Sequence, residues 1–269
     1  MSLERVREMT DEQVVVKYEE EHIAFVKLNR PHALNALNYE SLCVLGELVN
    51  EIRVRRDLRA VVFFGEGKAF CAGADLKERR TLSPDQVRRN VLKIRDVFTE
   101  IENLPQPTIA VLHGFALGGG FELSLACDLR YAAKHTQFGL IETSLAIIPG
   151  AGGTQRLTRL VGPMWAKKLI FTAERIQPDF ALQLGILTGV EADFEFAKKK
   201  AITTAREIAE NGPIAVRQAK FAINQGQNVD LSTGLEIESQ AYELLIPTKD
   251  RLEALDAFAE RRKPVFLGE

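Results

Sequence analysis

The sequence predicts an α/β protein whose last third is helical. Short runs rich in Val, Ile, Phe and Ala alternate with longer stretches of helical apolar spacing up to Gly153. Beyond Gly153 helical patterns follow one another to about residue 260. Glycine clusters at 118–120 and 150–153 each stand immediately before a helical pattern, where backbone N–H groups are left without intrahelical partners.

In chain order, Val14–Tyr18 and Ile23–Leu28 read as strands joined by the acidic turn Glu19–Glu21. Pro31–Leu37 is a loop. Asn38 then offers its side-chain oxygen as N-cap of a helix reaching about Arg55. Leu58–Phe64 is a short apolar strand ended by Gly65-Glu-Gly67. Phe70–Leu76 leads into the charged segment Lys77–Arg80. Ser83-Pro84 opens a helix to about Asn103, with Val87, Val91, Ile94 and Phe98 on one face. Thr108–Leu112 is a strand, Phe121–Cys127 a buried helix, and Asp128–Ala133 and Thr136–Phe138 further strands. Helices are predicted at about 154–161, 163–172, 178–184, 193–210, 213–227, 231–244 and 248–260. The division is therefore a core over residues 1–200 and a helical region over 201–269. Its soft boundary near 195–212 is punctuated by Asn211-Gly212-Pro213.

Net charge is -2 over 269 residues, which gives no global drive toward nucleic acid or anionic membrane. Cys43, Cys71 and Cys127 have no CxxC spacing and read as reduced thiols in a cytosolic or matrix-like compartment. The first residues, Met1 to Glu8, lack the apolar run of a signal peptide, and no stretch approaches the ~18 apolar residues of a membrane span. The expected location is the cytoplasm, or the mitochondrial matrix after removal of a transit peptide.

Chemistry concentrates on two glutamates, each alone in an apolar run beside glycines. Glu122 lies in Gly114-Phe-Ala-Leu-Gly118-Gly119-Gly120-Phe121-Glu122-Leu123. Glu142 lies in Phe138-Gly-Leu-Ile-Glu142-Thr, followed by Ile148-Pro149-Gly150-Ala-Gly-Gly153-Thr-Gln-Arg156. Buried carboxylates gain raised pKa values, which suits acid/base work near neutral pH. Either glutamate alone reads equally as a structural carboxylate bonded to a buried Arg or to backbone. Gly119 and Gly120 fall at a helix N-terminus, where N–H groups could stabilise a developing oxyanion, although close helix packing explains them too. Ala72-Gly73-Ala74 permits a similar close approach, and read alone it is an ordinary turn. Leu123 breaks a GxGxxG pattern, and no Lys-Ser/Thr follows as a Walker loop requires. His22, His32, His113 and His135 have no metal-ligand spacing, and Ser124 and Ser144 lack a GxSxG context. The basic clusters Arg53–Arg56 and Arg261–Lys263 read as solvated faces, the second also able to hold a phosphate.

Taken in order, Ala72-Gly-Ala-Asp-Leu76, Ala116-Leu-Gly-Gly-Gly-Phe-Glu-Leu123 and the segment from Phe138 to Leu157 resemble the enoyl-CoA hydratase/isomerase (crotonase) superfamily. The resemblance runs from Leu28-Asn-Arg-Pro31 to Phe258–Phe266, and within the superfamily it is greatest to the methylglutaconyl-CoA hydratase / AU-RNA-binding group. It implies a spiral of repeated ββα units with a C-terminal helical trimerisation region, giving a homotrimer or dimer of trimers. It implies hydration of a 2-enoyl-CoA, with an isomerase or decarboxylase of the same fold as alternatives. The acyl-CoA thioester carbonyl would sit between the N–H groups of Ala74 and Gly119. Glu122 would hold or activate water, Glu142 would exchange a proton with the α-carbon, and Gly150 would lie beside the water.

By motif position, Ala33, Leu34, Ala72, Gly73, Asp75, Leu76, Gly118 and Pro149 fall at the substrate. Phe258 and Arg261 fall where a C-terminal segment, partly from a neighbouring subunit, approaches the CoA phosphates. His32 stands where a lysine is common. No metal or redox cofactor is implied, CoA being part of the substrate. An RNA partner is not expected: the helix at 39–55 sets Glu40, Glu47 and Glu51 against Arg53 and Arg55.

Overall fold

A computed structural model describes residues 15–20 and 22–269. Val14, Glu21 and the N-terminal segment read above lie outside the described residues. The described strands are β1 (Val15–Glu20), β2 (Ile23–Leu28), β3 (Ala60–Gly65), β4 (Thr108–Leu112), β5 (Phe115–Leu117), β6 (Leu129–Ala133), β7 (Gln137–Gly139) and β8 (Gly189–Glu191). Six of them form one sheet in the order β1-β2-β3-β4-β6-β8, antiparallel at β1–β2 and parallel beyond it. Central strands β3 and β4 are buried along their length, which is why they read as mostly apolar runs.

A second, smaller layer is built from the parallel pair β5–β7 and from single bridges at Leu37–Ala74, Cys71–Ala116 and Phe138–Ile176. The chain repeats one excursion. It runs through the large sheet, crosses the small layer and returns as a helix. Here β3 is followed by the bridge at Cys71 and then α3 (Pro84–Glu102), after α1 (Tyr39–Val54) and the short α2 (Leu76–Arg79). Likewise β4 and β5 lead to α4 (Gly119–Ala126), and β6 and β7 to α5 (Gly153–Phe171). The remaining helices are α6 (Pro178–Gln183), α7 (Phe194–Ala209), α8 (Pro213–Gly226), α9 (Leu231–Glu243) and α10 (Lys249–Glu260).

Local signals account for the helix ends. Asn38 accepts the Ser41 N–H at 2.9 Å, and Ser83 forms a reciprocal capping box with Gln86. Helix α5 breaks at Gly162 (φ 77°), where Pro163 starts a second segment, as the two predicted helices require. The sequence predicts neither β5, which lies inside the glycine-rich motif, nor β8, which lies between helical patterns, whereas the equally short β7 overlaps the predicted run Thr136–Phe138.

The main core lies between the large sheet and α1, α3, α4 and α5. On the other sheet face α7 sets Ala197, Ala201 and Ala205 against Ile23, Phe25, Val62 and Val111. Alanines on one stripe let that helix lie close to the strands. Helix α7 runs through residue 200, so a division at 200/201 falls inside an element, and the packing changes instead at Asn211–Pro213. In helices α8, α9 and α10, by contrast, Ile223, Leu235, Tyr242 and Phe258 are left exposed.

Helix α4 is buried on every side, and its first turn rests against the segment that follows β3. A β-carbon on Gly120 would fall 2.1 Å from the Cys71 carbonyl oxygen. Gly120→Ala should therefore lower unfolding stability by about 1–3 kcal/mol or more, read by urea denaturation. A wild-type midpoint would show that the helix can slide without cost.

Candidate active site

Glu122 sits in the first turn of α4 and is 3% exposed. Its Oε1 accepts two backbone N–H groups, from Ala151 and Gly153, each at 2.8 Å. Both bonds fall on one oxygen, so no described residue claims Oε2. The loop making this grip is itself fastened. Arg156 donates to the Ala151 carbonyl at 2.8 Å and to Glu102, at the end of α3, at 2.6 Å. Burial raises the Glu122 pKa. The two N–H donors, and more weakly the charges of Arg156 and Arg79, pull it back.

Glu142 opens a 3₁₀ turn, Glu142–Leu145, just after β7, and is 8% exposed. Thr143 ties this turn to α5 by donating to the Ile170 carbonyl at 2.6 Å. The carboxylate lies over the turn that starts α4: a β-carbon on Gly118 would come within 3.1 Å of Oε1. Gly118 also holds φ 50° and ψ −124°, a conformation natural only to glycine. The other oxygen, Oε2, is buried with no hydrogen-bond partner. Burial first, and the Glu122 charge second, push the Glu142 carboxyl up to about 7.

Two backbone N–H groups face the same cavity. In the bridge at Leu37–Ala74, the Leu37 N–H bonds the Gly73 carbonyl and the Asp75 N–H bonds the Leu37 carbonyl. A parallel ladder of this kind turns the intervening Ala74 N–H to the opposite side. Gly119 is the first residue of α4, where an N–H has no intrahelical acceptor. A β-carbon on Gly119 would lie 3.7 Å from the Ala74 nitrogen, so the two donors are neighbours. Cys71 is close by, but burial pushes its thiol up to about 12, which removes it as a thiolate nucleophile.

One cavity is lined by Ala72, Gly73, Ala74, Leu76, Gly118, Gly119, Glu122, Glu142 and Gly150, so most of the sequence-predicted residues are brought together. Pro149 is buried next to this lining. Ala33 and Leu34 stand off it, on a loop joined to it where the Ala72 N–H donates to the Leu34 carbonyl at 2.9 Å. Asp75 also lines the cavity, but its carboxylate caps α2 through Lys77 and Glu78 and pairs with Arg30 at 3.1 Å. Its side chain is thus committed to holding the backbone that presents Ala74. Phe258, 85% exposed, and Arg261 are at the C-terminal end of α10 and take no part in this cavity within one chain. Sequence reasoning assigned no task to Arg156 or Arg79. Only their positions beside the glycine loop and the Ala72–Leu76 motif could have drawn attention to them.

Two buried carboxylates beside two unclaimed N–H donors define a site suited to a carbonyl compound and to proton transfer next to that carbonyl. The chain belongs to the enoyl-CoA hydratase/isomerase family, whose sequence profile matches residues 18–269. It is 46% identical over 267 residues to human mitochondrial methylglutaconyl-CoA hydratase, covering 97% of this chain and 79% of that one. It is 47% identical over 251 residues to bovine mitochondrial enoyl-CoA hydratase domain-containing protein 2, covering 92% and 85% respectively. The crystal structure of an enoyl-CoA hydratase from Bacillus anthracis superimposes with a TM-score of 0.93 at 50% identity, covering 95% of this chain and 99% of that one. The fold is accordingly the crotonase-like spiral.

The raised Glu142 pKa has a consequence for stability. Its folded-state value of about 7 lies above the ordinary 4.5, so its contribution is fully present below about pH 4.5 and is lost as pH rises through about 7. Glu142→Gln cannot ionise. Between pH 5 and pH 8 it should gain on the wild type by on the order of 1–3 kcal/mol in urea unfolding. A difference independent of pH would contradict a carboxyl held neutral by burial.

Proposed function

We propose that the cavity binds a 2-enoyl-CoA thioester and reversibly adds water, syn, across its 2,3 double bond to give a 3-hydroxyacyl-CoA. The observation that carries this reading is the unlike treatment of two neighbouring carboxylates beside a pair of N–H donors. Glu122 receives two N–H bonds, which favour its charged form. Glu142 has a buried oxygen with no donor, which favours its protonated form and lifts its pKa to about 7, so that a proton is available on it near neutral pH. Groups whose pKa values are pushed apart in this way divide into a base and an acid.

The steps follow from that division. Glu122 orients water through its unclaimed oxygen and takes one proton as the water oxygen bonds to C3. Electron density moves through C2 to the thioester oxygen, where the Ala74 and Gly119 N–H groups receive the negative charge. Losing one such donor typically costs ~10²–10³ in rate. Glu142 then delivers its proton to C2, and proton exchange with solvent resets the pair. The step itself calls for no metal or redox cofactor, and CoA enters as part of the substrate.

Relatives named methylglutaconyl-CoA hydratase support 3-methylglutaconyl-CoA as the substrate. Ala33, Leu34, Ala72 and Leu76 would follow the CoA arm. Phe258 and Arg261 would reach the CoA of a neighbouring subunit in a trimer or dimer of trimers. The apolar side chains exposed on α8 and α9 support such an assembly. Relatives named as mitochondrial suggest a matrix setting, with the cytoplasm as the other reading.

Glu122→Gln and Glu142→Gln should each lower kcat by at least ~10² while the circular dichroism spectrum is retained. In heavy-oxygen water the wild-type product should carry the label at C3. Near wild-type turnover by either variant, or an unlabelled isomerised or decarboxylated product, would replace the hydratase assignment.

A further inference from the structure

We propose that Arg79 is the specificity residue of this cavity and receives a carboxylate at the far end of the acyl chain. The inference rests on the enoyl-CoA reading above. Arg79 ends the short helix α2 and lines the cavity. Leu82, Val91 and Ile94 contribute apolar lining to the same cavity. Among the described residues, no hydrogen bond or ion pair is found for its guanidinium, and no carboxylate lies within 4 Å of it. The other polar groups of this wall are engaged. Glu78 accepts the Tyr39 N–H at 3.1 Å and is approached by the Asn90 amide at 3.4 Å. Asp75 is paired with Arg30. An unpaired cation facing an apolar cavity is costly unless an anion arrives to meet it.

Two features identify the anion. Arg79 lines the same cavity as Glu122 and Glu142, and its charge weakly lowers the pKa of both, so it belongs to the acyl side of the site. The residues matched to the CoA arm, Ala33 and Leu34, lie off this lining. A carboxylate-tailed acyl chain would also carry a second negative charge into a cavity that already holds the Glu122 carboxylate, beside a Glu142 whose proton it would help to retain. That approach is unfavourable unless a cation offsets it, and a guanidinium binds a carboxylate bidentately. An apolar acyl chain would leave the same guanidinium desolvated and unpaired, so the site penalises the wrong substrate as well as rewarding the right one.

The test uses the full chain with two saturated, unreactive ligands, glutaryl-CoA and butyryl-CoA, which differ in the terminal carboxylate. Because both carry the same CoA, phosphate contacts cancel in the ratio of their dissociation constants. So does any effect of Arg79 on the glutamates that both ligands share. Wild-type protein should favour glutaryl-CoA. Arg79→Met, which keeps the aliphatic stem, should lower the ratio about 30-fold or more. Arg79→Lys should retain part of the preference, and it carries the test should the methionine variant fail to fold.

A wild-type ratio near one, or a ratio unchanged in the variants, overturns the assignment of Arg79. Hydration of 3-methylglutaconyl-CoA and crotonyl-CoA is measured in parallel. An Arg79-dependent preference in binding, with neither compound hydrated, overturns the hydratase reading and leaves the Arg79 assignment standing.

Discussion

The site depends on how closely the first turn of α4 approaches the segment after β3. Gly120 lies against the Cys71 carbonyl with no room for a side chain, and the bridge at Cys71–Ala116 sets the register of that approach. From it follow the proximity of the Gly119 and Ala74 amides, the entry angle of α4 and hence the depth at which Glu122 is buried. Burial on every side makes α4 a rigid mount. Backbone donors fixed in this way need no reorganisation when charge develops beside them, and that is the source of their electrostatic advantage.

The second constraint is electrostatic. Two carboxyl groups in one apolar cavity cannot both be charged without cost, and the backbone decides where the charge resides. The loop at 150–153 offers two N–H groups to Glu122 and none to Glu142. Arg156 keeps that loop in place by joining its Ala151 carbonyl to Glu102 on α3. Loop geometry therefore distinguishes the proposed acid from the proposed base, although the two residues are chemically identical.

Much of this was legible in the sequence, for physical reasons. Buried parallel strands must be apolar throughout, so β3 and β4 declare themselves. Caps need particular side chains, so Asn38 and Ser83 mark their helices. A glutamate in an apolar run is expensive, so Glu122 and Glu142 stand out. The illegible parts share another cause. Strands β5 and β8 are three residues long, and their pairing is decided by distant partners. Asp75 looked like a substrate contact because it sits within a motif, yet capping α2 and pairing with Arg30 occupy it. Arg79 and Arg156 lie in segments with other charges, where composition suggests a solvated surface. Only the fold turns one toward the cavity and lays the other along the glycine loop. The role proposed for Phe258 and Arg261 needs a neighbouring chain, and within one chain they stand away from the cavity.

These differences point to a division of labour. The donors proposed for the thioester oxygen are main-chain amides, so substitutions that keep the glycines and the ladder would leave them in place. On the same proposal, selectivity would fall to side chains on α2, α3 and the 3₁₀ turn after β7. Arg79, Leu82 and Val91 line the cavity together with Leu145, Ile147 and Ile148. The last three are exposed in the single chain, where a substrate tail or a neighbouring surface would cover them. Exchanging an apolar residue for a cation on this wall changes which acyl chains can be desolvated without touching the atoms that stabilise the enolate. With oxyanion donors in the backbone and selectivity in side chains on one wall, such a fold would exchange one acyl substrate for another without rebuilding the donors.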